Sequence, residues 1–113
     1  MTSPNAAGDL RLSGVRAFLG IIRPEFRRVG VRLNNSIITV DVILDCPPSG
    51  DVVEEIAVAS TEIIADFPDL QIEERITVET GHLSQGHAID DGLIYQRWEL
   101  DPGRGDTDQV RTK

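Results

Sequence analysis

From Leu33 to Glu74, 42 consecutive positions, the chain has no lysine or arginine. Lys113 is the only lysine among the 113 residues, so no glycine-rich phosphate loop can carry a Walker lysine. There is one cysteine, Cys46, which excludes an internal disulfide and suits a reducing compartment. Its position after an apolar run predicts a small buried residue at a strand end. Aromatic residues make up 4% of the chain, and only Phe18 and Phe26 lie among the arginines. That is too few for a base-stacking platform, and the net charge of -8 opposes phosphate. Nucleic acid is therefore not an expected partner. No apolar run approaches the roughly 20 residues that span a bilayer, so no membrane partner is expected either. No basic segment followed by an apolar one opens the sequence, and the expected compartment is the cytoplasm. There is no internal repeat and no low-complexity tract.

What is there is segregated charge. The stretch without cations holds ten carboxylates: Asp41, Asp45, Asp51, Glu54, Glu55, Glu62, Asp66, Asp69, Glu73 and Glu74. The preceding segment, Leu10 to Arg32, holds six arginines and one acid, Glu25. A block of one sign creates a field that attracts cations or a basic partner.

The length suits one domain, here residues 9–100, between a loose N-terminus (1–8) and a disordered tail (101–113). Leu12, Val15, Phe18, Leu19 and Ile22 recur at helical spacing and predict a helix over Leu10 to Gly20 with those residues inward. Val29, Val31 and Leu33 alternate with Gly30 and Arg32. After Asn34-Asn35, a turn signal, Ile38, Val40, Val42 and Leu44 alternate again. The pair reads as an antiparallel hairpin. Pro47 and Pro48 break the strand.

A second helix is predicted over Asp51 to Phe67. Its inner face is Val52, Ile56, Ala59, Ser60, Ile63 and Phe67, and its outer face is dominated by Asp51, Glu54, Glu55, Glu62 and Asp66. Pro68 stops it. A third strand, Leu70 to Glu79, places Ile72, Ile76 and Val78 inward. The last strand, Leu93 to Leu100, places Ile94, Trp98 and Leu100 inward and Tyr95, Arg97 and Glu99 outward. The order α-β-β-α-β-β predicts an α+β two-layer sandwich with a four-stranded, mainly antiparallel sheet and both helices on one face.

His82, His87, Asp90 and Asp91 share one loop, but the two histidines are five apart and flanked by glycines. That spacing opposes a preformed metal site, and none is expected. Ser84, His87 and Asp90 have the letters of a hydrolase triad without a Gly-x-Ser-x-Gly elbow. The chain is therefore expected not to be an enzyme, and no cofactor is implied. The acidic helix is the stronger signal, because a uniformly acidic face forgoes the i,i+4 pairs that solvated helices use.

Two blocks resemble a known bacterial pattern. Arg16-Ala17-Phe18-Leu19-Gly20-Ile21-Ile22-Arg23-Pro24-Glu25-Phe26-Arg27-Arg28-Val29-Gly30-Val31 is similar to R-A-L-L-G-x-I-x-P-x-L-R-x-V-x-V. Glu54-Glu55-Ile56-Ala57 followed by Thr61-Glu62-Ile63-Ile64-Ala65-Asp66-Phe67-Pro68 is similar to E-E-x-A…T-E-x-I-A-D-F-P, and Ile72 to Ile76 resembles the strand after it. The chain resembles small proteins found beside polymorphic toxins, including contact-dependent growth-inhibition systems, where they look like cognate immunity proteins. Where that family continues into a Tyr-Pro loop, this chain reads Val78-Glu79-Thr80-Gly81-His82-Leu83.

The resemblance implies a protein that binds and neutralises a cognate toxin. The charge adds that the toxin is expected to be basic, as nucleases are. The expected contact residues are Glu54, Glu55, Glu62, Asp66, Asp69 and Glu73. Tyr95 and Trp98 are further aromatic candidates, although Trp98 reads better as core. The alternative is an oligomeric structural or adaptor protein, a homodimer with Leu93 and Tyr95 of the outer sheet face in its seam.

Overall fold

The computed structural model describes residues 6–83 and 92–99. Its elements are helix α1 (Ala6–Phe18), strands β1 (Phe26–Asn34) and β2 (Ile37–Leu44), helix α2 (Gly50–Ala65), and strands β3 (Gln71–Val78) and β4 (Leu93–Gln96). The expected α+β class and element order hold. The strands form one sheet in the order β3-β2-β1-β4.

β1 and β2 form the predicted antiparallel hairpin. Asn34 pairs with Ile37, and Asn35 takes φ 59° in the turn between them. Asparagine tolerates this left-handed conformation better than most residues. Ile38, Val40, Val42 and Leu44 are fully buried on one side of β2, facing Val29 and Val31 of β1.

The sheet is mixed rather than mainly antiparallel, because β2 and β3 run parallel from Ile37↔Gln71 to Leu44↔Val78. The reason is the connection. Sixteen residues of α2 rise about 24 Å at 1.5 Å per residue. That is close to the span of the eight-residue β2 at about 3.3 Å per residue. The helix thus returns the chain to the end of the sheet where β2 began, and Gln71 N–H donates to the Ser36 carbonyl. A helical crossover leads to a parallel neighbour, whereas a tight turn reverses direction.

α1 packs over β1 and β4, α2 packs against β3, and the helices also touch each other. Both therefore cover the same face of the sheet, above one core that includes Phe18, Phe26, Val29, Val42, Val52, Ile56 and Ile63. α2 behaves as its pattern predicts: Val52, Ile56, Ala59, Ser60 and Ile63 are buried, with Phe67 packed beside them. Ser49 Oγ caps it by accepting a hydrogen bond from Val52 N–H at 3.2 Å.

α1 is rotated from the predicted orientation. Leu10, Ser13, Gly14, Ala17 and Phe18 face inward, while Leu12, Val15 and Leu19 are exposed. The cause is close approach to the sheet. A Cβ on Gly14 would lie 2.4 Å from Ile94 Cδ1 and 3.4 Å from Val31 Cγ1. Only the small-residue face of α1 fits there. The helix begins at Ala6, four positions before the predicted start.

β4 is shorter than expected, ending at Gln96. Tyr95 pairs with Val29 and packs against the core, instead of facing outward. The register shift between Val29 and Gly30 breaks simple alternation, so Ile94 and Tyr95 both reach the core. Trp98, expected inside, is 83% exposed. Cys46, also expected inside, is exposed. Val78 is half-exposed at the end of the edge strand β3 rather than buried. Leu100, Ser84, His87, Asp90, Asp91 and the expected tail lie outside the described residues.

Candidate functional site

The two charge blocks, separate in sequence, meet across the helical layer. Arg23 forms a two-pronged pair with Glu55, Nε to Oε1 at 3.0 Å and Nη2 to Oε2 at 2.8 Å. The hydrogen bonds from Arg23 hold the Glu55 carboxyl below its ordinary range, and Glu55 in turn raises Arg23. Asp66 caps the C-terminus of α2, where the helix dipole disfavours an anion and the last turn has no basic residue. Relief comes from α1: Ser13 Oγ donates to Asp66 Oδ2 at 2.6 Å and Arg16 Nη2 lies 3.4 Å away.

These contacts divide the six expected contact residues. Glu54, Glu55, Glu62 and Asp66 come together on α2, as the 3.6-residue period requires. Glu55, half-buried, and Asp66, exposed, are engaged by arginines along the seam with α1, while Glu54 and Glu62 are exposed. Asp69 is exposed in the turn after α2. Glu73 belongs to a different surface. It pairs with Thr39, on the sheet face opposite the helices, and accepts a hydrogen bond from Thr39 Oγ1 at 3.1 Å. On that same face Arg32 reaches Asp41 at 2.9 Å.

A second charged cluster lies at the other end of β1, and the sequence carried no local signal for it. Its members are up to 72 residues apart. Arg27 is the extra residue of the shift between Phe26 and Arg28, and its side chain is almost fully enclosed. It donates Nε and Nη2 to the two carboxylate oxygens of Glu99 at 2.8 and 2.6 Å. Its Nη1 donates to the carbonyls of Glu79 and Gly81. Arg97 bridges Asp45 at 2.8 Å and Glu99 at 3.1 Å, and also donates to the Pro24 carbonyl. Arg27, followed by Arg97, holds the Glu99 carboxyl down at about 2. Two arginines and two acids thus neutralise one another and pin the segment that follows β4. Trp98 projects into solvent between the two pinned residues.

Cys46 is poorly suited to nucleophilic work, because the Asp45 carboxylate beside it pushes its thiol up. Among the described residues no group of three His, Cys, Asp or Glu side chains could hold a metal ion. His82 is exposed. No helix among those residues is long and apolar enough to cross a membrane.

Sequence reasoning missed one surface feature. Leu12 and Val15 are 55% and 39% exposed on the outer side of α1, and Leu19, one residue past its end, is 78% exposed. The available signal was the small-residue set Ser13, Gly14 and Ala17, which competes with the large aliphatic set for the inward position.

A family model described as MafI2 immunity protein matches residues 7–99. The span includes both helices, apart from the first residue of α1, and all four strands. No curated protein matches the chain.

Proposed function

The chain belongs to the MafI2 immunity protein family, and on that basis we propose that it neutralises a basic, nuclease-type toxin by covering its substrate groove. The family supplies the partner class. The supporting physical observation is the outer surface of α2, where Glu54 and Glu62 stay exposed after Arg23 and Arg16 have engaged Glu55 and Asp66. Exposed acids opposite a cationic groove steer encounter and raise the association rate, an effect that salt screens. The protein acts by binding alone and works in the cytoplasm, where a nuclease would meet its substrate.

The test starts with the product of the gene adjoining this one. Its toxicity, its neutralisation on co-expression with this chain, and its binding to the purified protein are measured. A product that is harmless, or a toxin this chain neither binds nor neutralises, removes the reading. The acidic surface is tested by Glu54→Lys with Glu62→Lys in a salt series. These positions are preferable to Glu55, whose reversal would also break its pair with Arg23. Slower association that converges with wild type at high salt is expected. Association that ignores both salt and the reversals would mean that these acids are only solvated.

A further inference from the structure

Resting on that reading, we propose that the outward face of α1, with Leu12, Val15 and Leu19 at its centre, is the apolar anchor that seats on the toxin. Leu12 and Val15 are three apart on α1, and Leu19, one residue beyond its end, continues their spacing at i+7, so the three share one side. They are exposed because the helix has turned its small residues inward. Gly14 takes the position against Ile94 and Val31 that no side chain could occupy without displacing Ile94. α1 thus has two apolar faces, and the sheet has taken the one that carries Leu10, Ala17 and Phe18 around Gly14. The aliphatic face remains in water, where contiguous apolar surface marks contact sites more often than isolated residues do.

The charge around this face selects the occupant. α1 and α2 lie side by side, so the border of the apolar stripe is shared between them. Arg16 and Arg23 are held by Asp66 and Glu55, and Arg11 Nε donates to the Leu93 carbonyl. The exposed acids of the layer are Asp9, Asp51, Glu54, Glu62 and Asp66, against the exposed arginines Arg11 and Arg16, so acid remains in excess. An aliphatic centre bordered by excess acid fits a partner with an apolar patch set among lysines or arginines. A second copy of this chain would bring the same acids against one another, which costs association. The basic toxin is therefore the occupant. Interfaces commonly divide the work in this way, with a dry centre that sets the lifetime of the complex and a charged rim that sets its formation rate.

The probe is the product of the adjoining gene, once it is shown to be a toxin and is inactivated in its catalytic site, and the readout is binding kinetics on the full-length protein. Leu12→Gln with Leu19→Gln keeps helix-compatible side chains and removes the apolar surface. Affinity is expected to fall about 30-fold or more, chiefly through faster dissociation, as for loss of a central anchor. Val53→Gln changes another exposed aliphatic of α2, on the side away from α1, and should leave affinity unchanged. Hydrogen exchange on the wild-type complex supplies a readout that needs no variant, and slowed exchange across residues 6–18 is expected.

A double variant that stays folded and binds within about threefold of wild type, or α1 amides that the toxin leaves unprotected, would overturn the anchor while leaving the family reading intact. Loss of affinity on Trp98→Ala with none on the α1 changes would move the anchor to the pinned segment after β4. A wild-type protein that does not bind the toxin at all would overturn both readings.

Discussion

α1 and α2 cover the same sheet, yet they use their aliphatic residues in different ways. α2 buries Val52, Ile56 and Ile63 completely and shows acids to solvent. α1 buries Ser13, Gly14 and Ala17 between Leu10 and Phe18, and leaves Leu12, Val15 and Leu19 in water. The difference lies at Gly14, where Ile94 and Val31 of the sheet leave no room for a side chain. Where backbones come near, the side-chain volume between them decides the orientation, and hydrophobicity ranks second. α2 buries large side chains along its whole inward face, whereas α1 buries Leu10 and Phe18 with small residues between them and leaves Leu12, Val15 and Leu19 for another surface.

The largest test of this contrast is Ile63→Ala in α2. It should destabilise the protein by roughly 2–4 kcal/mol through lost burial and a residual cavity, read as a shift in the urea midpoint. A loss below about 1 kcal/mol, well under that range, would mean that α2 is not anchored by its large side chains. Next comes Gly14→Val, which drives a branched side chain into Ile94 and Val31. About 1–3 kcal/mol of overpacking cost is expected, together with weakened docking of β4, visible as faster amide exchange at residues 93–96. A neutral result would show that α1 can stand further from the sheet than the structure places it.

Ser49→Ala should cost about 1 kcal/mol by removing the cap on Val52 N–H, a local loss at the start of α2 that leaves α1 untouched. Thermal melting would measure it, and a drop of several kcal/mol would point to a wider role for Ser49. The smallest stability effect belongs to Leu12→Gln or Leu19→Gln, each within about 0.5 kcal/mol of wild type. A strong destabilisation by either would show that the outward face of α1 is packed within the monomer, and the contrast between the helices would collapse.

Much of the fold was legible because local rules governed it. The β1–β2 hairpin follows from alternation around Asn34-Asn35, and the inward face of α2 from its period and from Pro68. The direction of β3 was not legible. Parallel pairing depends on the match between the length of α2 and that of β2, which alternation within Gln71 to Val78 cannot encode. Trp98 was misplaced because alternation was extended beyond the end of β4, where ion pairs of Arg97 and Glu99 with Asp45 and Arg27 take control of the chain. Tyr95 was misplaced because a register shift is invisible to a strict period of two.

The expected contact residues show the same division. Four acids on α2 share one element, so helical spacing alone brings Glu54, Glu55, Glu62 and Asp66 together. Glu73 is on the opposite sheet face, because a strand reverses the direction of its side chains at every residue.

The segregation of charge, the element order, the inner face of α2 and the resemblance to immunity proteins could all be read before folding, because each depends on residues close in the chain. The tertiary structure decided which carboxylates are engaged by arginines, which way α1 faces and how Arg27, Arg97, Asp45 and Glu99 close on one another. These outcomes depend on distances between segments up to 72 residues apart and on the space left between packed backbones, and neither is set until the chain has folded.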